Sequence, residues 1–210
     1  MAQDHVHSPG AAPPRAPARA LAALREATDA CRQCPIGAGA TQSVVGEGPA
    51  HAPLMLVGEQ PGDQEDRSGQ PFVGPAGRLL DLALQEAGID RRAVFVTNAV
   101  KHFKYELRGK RRIHKSPGQR EIAVCVQWLE QEIALVRPHA FVALGATAAR
   151  ALLGRPTPVL RNRGQWLARE DGRSVLITVH PSALLRLRGA DHDAGVRELV
   201  RDLARARERA

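Results

Sequence analysis

Aromatic residues are scarce in this chain: four Phe, two Trp and one Tyr among 210 residues. Its core must be packed by Leu, Val, Ile and Ala, and an aromatic standing in a polar stretch calls for a reason. Cysteine is sparse too, at three residues. That excludes a disulfide framework, and the spacing Cys31-x-x-Cys34 suits reduced metal ligands or a redox pair better than a structural bridge. No apolar run approaches the roughly 18 residues of a membrane span, and the N-terminus has no apolar signal-peptide core. The expectation is a cytoplasmic protein with no membrane contact. Acids are outnumbered, 22 against 30 Lys and Arg, for a net charge of +8. This favours a polyanionic partner, nucleic acid first, over an acidic small substrate. With no heptad and no obvious apolar surface strip, a monomer is expected.

What is present reads as one α/β domain. Residues 1–18 are rich in Pro and Ala without periodicity and are expected to form a disordered tail, leaving 19–210 for the domain. PLMLVGE (53–59), AVFVTNAV (93–100), HAFVALG (139–145) and SVLITVHP (174–181) read as short buried strands. Between them lie helical patterns at PAGRLLDLALQEAG (75–88), about 119–136, and ATAARALLG (146–154); a last helix covers about 194–208. Strands alternating with helices predict a central, mainly parallel four-stranded sheet flanked by helices. Ligands of such sheets bind beyond the carboxyl ends of the strands, here Gly58-Glu59, Asn98, Gly145 and His180.

Several groups near those ends have chemical potential. GEQPGDQEDRSGQPFVGPAG (58–77) holds five glycines, three prolines and one large aromatic, Phe72, which suits either a stacking platform for a base or a plug onto the core. Asn98 offers a donor and an acceptor, as reading the amide-like edge of a pyrimidine requires, or caps a loop. His180 can donate to an oxygen that gains negative charge. KRRIHKSP (110–117) reads as a basic loop with Lys110, Arg111, Arg112 and Lys115 around His114. Cys31, Cys34 and Cys125 lack a fourth partner for a metal site; a histidine, His102 or His139, is the natural completion, and by spacing alone zinc and an iron–sulfur cluster are equally credible.

GEQPG (58–62), GQPFVGPAGRLL (69–80), TNAVK (97–101), VALGATAARALLG (142–154) and VHPSALLR (179–186), in this order, resemble the uracil-DNA glycosylase superfamily, specifically its iron–sulfur branch, over about residues 25–205. In that branch a Cys follows Val-Lys and binds a 4Fe-4S cluster. Here the position holds His102, so the resemblance implies the ligand set Cys31, Cys34, His102 and Cys125. GEQPGD, KHF and KRRIHK together resemble the X-type members, which end covalently attached to uracil-containing DNA.

The resemblance implies roles residue by residue. His114 is the attacking group at the sugar C1′; Glu59 faces the sugar cation and orients His114; His180 hydrogen-bonds the uracil O2. Phe72 stacks on the flipped base, Asn98 reads its edge, and Gly58, Gln60 and Asp63 line the pocket. Lys110, Arg111, Arg112, Lys115 and Arg186 face DNA phosphates. A conventional multiple-turnover glycosylase, or a metal-stabilised nucleic-acid binding module without activity, are the competing readings.

Overall fold

A computed structural model describes residues 16–209. The first fifteen residues of the expected tail lie outside the described residues, and Ala16–Asp29 form helix α1. Then follow α2 (Ile36–Gly39), β1 (Leu54–Gly58), α3 (Asp63–Ser68), α4 (Pro75–Glu86), β2 (Phe95–Asn98), β3 (Tyr105–Arg108), β4 (Arg111–His114) and α5 (Gln119–Val136). The second half contributes β5 (Ala140–Leu144), α6 (Ala146–Leu153), α7 (Val159–Asn162), β6 (Trp166–Ala168), β7 (Ser174–Thr178), α8 (Pro181–Leu184) and α9 (Gly189–Arg207).

Among the described residues the central sheet has the order β2-β1-β5-β7-β6. Its first four strands are mutually parallel and are the expected ones, while β6 adds a fifth, antiparallel edge through the pairs Trp166–Leu176 and Ala168–Ser174. The expectation of four strands is thus corrected to five. A three-residue edge strand carries too short an alternation to stand out in sequence.

Every residue of β1, β2 and β5 is buried, as expected when helices cover both faces of a parallel sheet. Alternation along β1 sorts the two cores. Met55 and Val57 join Phe95, Ile122, Leu129, Ile133 and Phe141 on the α5 side; Leu54 and Leu56 join Leu80, Leu84, Leu199 and Leu203 on the side of α4 and α9.

One polar network crosses this apolar interior. Lys101 and Glu132 are both fully buried and paired at 2.6 Å. The Lys101 ammonium also donates to Thr97 Oγ1 (2.7 Å) and to the Asn98 carbonyl (2.6 Å), while Glu132 accepts from Thr97 Oγ1 and the Gly46 amide, each at 2.7 Å. Full satisfaction is what makes a buried pair tolerable, and here it clamps the carboxyl end of β2 at Asn98.

The largest departure from the sequence reading is KRRIHKSP. It is not a loop: Arg111–His114 is strand β4, paired antiparallel with β3 in a two-stranded hairpin that places Tyr105 opposite His114. Gly109, with φ 58°, makes the turn. Alternation here is masked by charge on both faces, because a hairpin that stands off the body buries neither face fully. The polar stretch between β1 and α4 contains a short helix, α3 (Asp63–Ser68).

Candidate functional site

The chain crosses from one side of β1 to the other between β2 and β5, and at this switch the carboxyl ends of β1, β2, β5 and β7 open into one cavity of about 800 Å³. Glu59, Gln60, Asp63, Phe72, Asn98, His114, Gly145, His180 and Arg186 line it. Residues up to 127 positions apart in sequence therefore meet at one crevice.

Its floor forms around Gly58. A β-carbon there would lie 2.4 Å from Asn98 Oδ1, 2.7 Å from Phe72 Cζ and 3.3 Å from His180 Nε2, so the absence of a side chain lets an amide, an aromatic ring and an imidazole converge. Phe72 is buried, holds a left-handed backbone at φ 59°, and stacks near His180 with ring centroids 6.2 Å apart and planes at 26°. A bulky residue adopts that conformation only where its surroundings enforce it. Glu65 supplies the enforcement: its buried carboxylate accepts from the amides of Gly62 (3.1 Å) and Gly74 (2.8 Å), pinning the loop on both sides of Phe72.

His180 caps α8 with its side chain. Its Nδ1 accepts from the Ser182 amide at 3.1 Å and contacts Ser182 Oγ at 2.8 Å. Because Nδ1 accepts from an amide, the proton of the neutral ring sits on Nε2, the atom beside Gly58. Burial pushes its pKa down to about 4, against an opposing pull from Glu59, so near neutral pH the ring is an uncharged Nε2–H donor.

Glu59 stands between the first turn of α6 and His114. Its Oε2 accepts from Thr147 Oγ1 at 2.7 Å, and its Oε1 lies 3.6 Å from His114 Nε2. That gap exceeds a hydrogen bond, so neither group consumes the other. Of the His114 side chain 44% is exposed, placing the imidazole at the mouth. Partial burial lowers its pKa, Glu59 raises it, and Arg186 lowers it further. Burial is thus the leading influence toward the neutral ring, with Arg186 as the contributing cation.

The predicted DNA-facing cations divide into three kinds. Lys110, Arg111 and Arg186 are exposed, and none of them forms an ion pair among the described residues. Lys115 pairs with Glu106 at 2.7 Å. Arg112 turns inward: it binds Asp63 and, at 2.6 Å, fully buried Asp66, and its guanidinium lies over the rings of Phe103 and Tyr105. A guanidinium committed to two carboxylates and two rings anchors the hairpin rather than extending to solvent. Gln60 does the same from the other side, donating to the carbonyls of Lys104 and Lys115 and accepting from the Lys104 amide. Asp63 at the cavity edge is thus a partner of Arg112 and Arg67.

Cys125 lies near Cys31 and Cys34, and the His102 ring borders Gly37 in the segment that follows them. Cys125, in the second turn of α5, accepts from the Lys101 amide at 3.3 Å and lies close enough to Cys31 and Cys34 for their charge to act on it. A side chain at Gly37 in α2 would meet the Cys31 carbonyl at 2.7 Å and the His102 ring at 3.4 Å. His139 stands at the opposite, amino-terminal end of β5. Three thiols and a buried imidazole are a fitting donor set for a soft metal or cluster. Among the described residues no three His, Cys, Asp or Glu converge on one point as chelation of a single ion requires.

Sequence reasoning passed over Thr147, the Glu59 partner, and Leu160, which is 84% exposed on the same rim. A threonine in the first turn of a helix carries no signal of its own, and Leu160 reads as an ordinary apolar helix residue.

A mainly parallel sheet with a crevice at its strand ends, lined by Phe72, Asn98 and His180 with Arg186 at its edge, frames the candidate site of this α/β domain. Residues 45–204 match the family model described as "Uracil DNA glycosylase superfamily", and the chain belongs to that superfamily. It is 38% identical over 166 residues to the Type-4 uracil-DNA glycosylase of Thermotoga maritima, covering 79% of this chain and 83% of the relative. Identity to the Type-4 enzyme of Pyrobaculum aerophilum is 34% over 177 residues, 79% and 85% of the two chains. The Type-5 enzyme of the same organism is 32% identical over 155 residues, 65% and 64%.

Proposed function

We propose that this chain excises uracil from DNA and is then captured on its product, His114 becoming covalently attached to C1′ of the deoxyribose. The observation that carries the reading is the facing pair His114 Nε2 and Glu59 Oε1, 3.6 Å apart, in the cavity that also holds Phe72, Asn98 and His180.

The uracil leaves the stack and enters the cavity, with Phe72 against its face and Asn98 hydrogen-bonding its pairing edge. The C1′–N1 bond breaks and its electron pair leaves with uracil N1. Negative charge spreads to O2, where the His180 Nε2–H donates; a neutral donor serves because it is already in place before the charge develops. Glu59 stabilises the positive charge on the sugar. The His114 Nε2 lone pair then forms the new bond to C1′, and the imidazolium loses its Nδ1 proton to solvent. Held in place, the imidazole outcompetes water through effective concentration. Lys110, Arg111 and Arg186 contact flanking phosphates.

Cys31, Cys34, His102 and Cys125 would hold a 4Fe-4S cluster. With zinc as the alternative, such a group would have a structural role, tying the N-terminal segment to the chain that leads into the β3–β4 hairpin. Visible absorption with iron and sulfide analysis distinguishes the two metals. His102→Ala is expected to lose the group and His139→Ala to keep it; the reverse result refutes the assignment.

The test of the main reading is a denaturing gel of protein mixed with a uracil-containing oligonucleotide. A band surviving heat and detergent is expected, one DNA per protein, absent with an oligonucleotide containing thymine in place of uracil. Free abasic DNA at many equivalents per protein supports instead a conventional multiple-turnover enzyme, the reading to which the names of the Type-4 relatives lend weight.

A further inference from the structure

We infer that Thr147 is a positioning residue of this site, fixing the rotation of the Glu59 carboxylate so that one oxygen is held by protein and the other is directed at His114. The inference rests on the proposed reading of Glu59 and His114 and adds the group that sets their geometry.

A carboxylate at a strand end has free rotation about its last bond, and two oxygens that are chemically alike. Here they are made unlike. Oε2 takes the Thr147 hydroxyl at 2.7 Å, and Oε1 is left facing His114 Nε2 at 3.6 Å. The Glu59 side chain is only 24% exposed, so water competes poorly for either oxygen. Thr147 is in turn placed by the turn before it. Gly145 has φ 92°, and a β-carbon there would stand 3.2 Å from His180 Cβ. The chain can therefore enter α6 directly beside the His180 strand end, which brings the second residue of that helix over Glu59. Among the described residues the Thr147 hydroxyl is the one side-chain donor within hydrogen-bond distance of Glu59.

Without that donor the carboxylate turns freely, the sugar cation loses a fixed counter-charge, and His114 loses the group facing it. Two readouts follow. The single-turnover rate of uracil excision falls, by about tenfold, as expected for a misplaced rather than missing group. The share of excised sites captured by His114, as opposed to released as free abasic DNA, also falls. That share is a ratio within one turnover and is unaffected by how much protein is folded.

The experiment compares wild type, Thr147→Val, Thr147→Ser, Glu59→Gln and the Glu59→Gln/Thr147→Val double variant on one uracil oligonucleotide, measuring DNA affinity, excision rate and crosslinked share. The expected result is loss of rate and share in Thr147→Val at unchanged affinity, recovery in Thr147→Ser, and a double variant no worse than Glu59→Gln alone, since Thr147 acts through Glu59. Wild-type rate and share in Thr147→Val, or additive losses in the double variant, overturn the inference. If wild type itself releases only free abasic DNA, the covalent reading fails while the excision rate still decides the role of Thr147.

Discussion

Two histidines reach the same cavity on supports of opposite character. His180 follows strand β7 of the central sheet, caps a helix through its own Nδ1, and is desolvated enough that its pKa falls to about 4. His114 ends a strand of a two-stranded hairpin, keeps nearly half its side chain in solvent, and its imidazole makes no hydrogen bond to another side chain or backbone group among the described residues. A group that must be in place before the reaction and never change belongs on the first kind of support. In the proposed reaction the group that forms the new bond to the sugar stands on the second. The hairpin is nevertheless not loose, since Arg112 and Gln60 fasten it to the α3 side and to the end of β1.

The sharpest way to break this contrast is to remove each ring. His114→Ala is expected to abolish the heat-stable protein–DNA band while uracil release continues; a persistent band in this variant refutes the assignment of the nucleophile. His180→Ala is expected to slow excision itself about 100-fold, measured as single-turnover uracil release, and an unchanged rate removes His180 from the chemistry.

Weakening the support of the hairpin has a smaller effect. Arg112→Ala leaves fully buried Asp66 without its cation, at a cost of about 3 kcal/mol of stability, readable from urea unfolding, together with a reduced crosslinking rate. Unchanged unfolding contradicts the anchoring role.

Acidity separates the two rings by sign. Attack needs the neutral imidazole, and His114 has a lowered pKa, so crosslinking is expected to hold from neutral pH down past the ordinary imidazole range of about 6.5 and to fade at lower pH. His180 remains neutral down to about 4, and the acid limb therefore reports His114. A limb above the ordinary range contradicts burial as the dominant influence. The smallest effect belongs to Lys110→Ala with Arg111→Ala, which should lower affinity for all DNA sequences alike and reduce the salt-dependence slope by about one to two.

Much of the sheet was legible because parallel strands covered on both faces are continuous apolar runs: LMLVG, FVTN, AFVAL and SVLIT fall where the sequence places them. The helix at 119–136 was likewise legible from its apolar spacing and observed at Gln119–Val136. The hairpin and β6 were not, since a strand with charge on both sides or only three residues long has no period to detect.

For the candidate site, sequence by itself determined the chemical types at the strand ends: Glu59, Asn98 and His180 follow apolar runs, and an α/β alternation directs such ends to one crevice. Tertiary structure alone decided their relations. Which way Arg112 faces, which oxygen of Glu59 is taken by Thr147, and which nitrogen of His180 carries the proton all depend on contacts between residues 2 to 88 positions apart. Side-chain chemistry is written in one residue, whereas orientation is a property of pairs, and a pair exists only once the chain has folded.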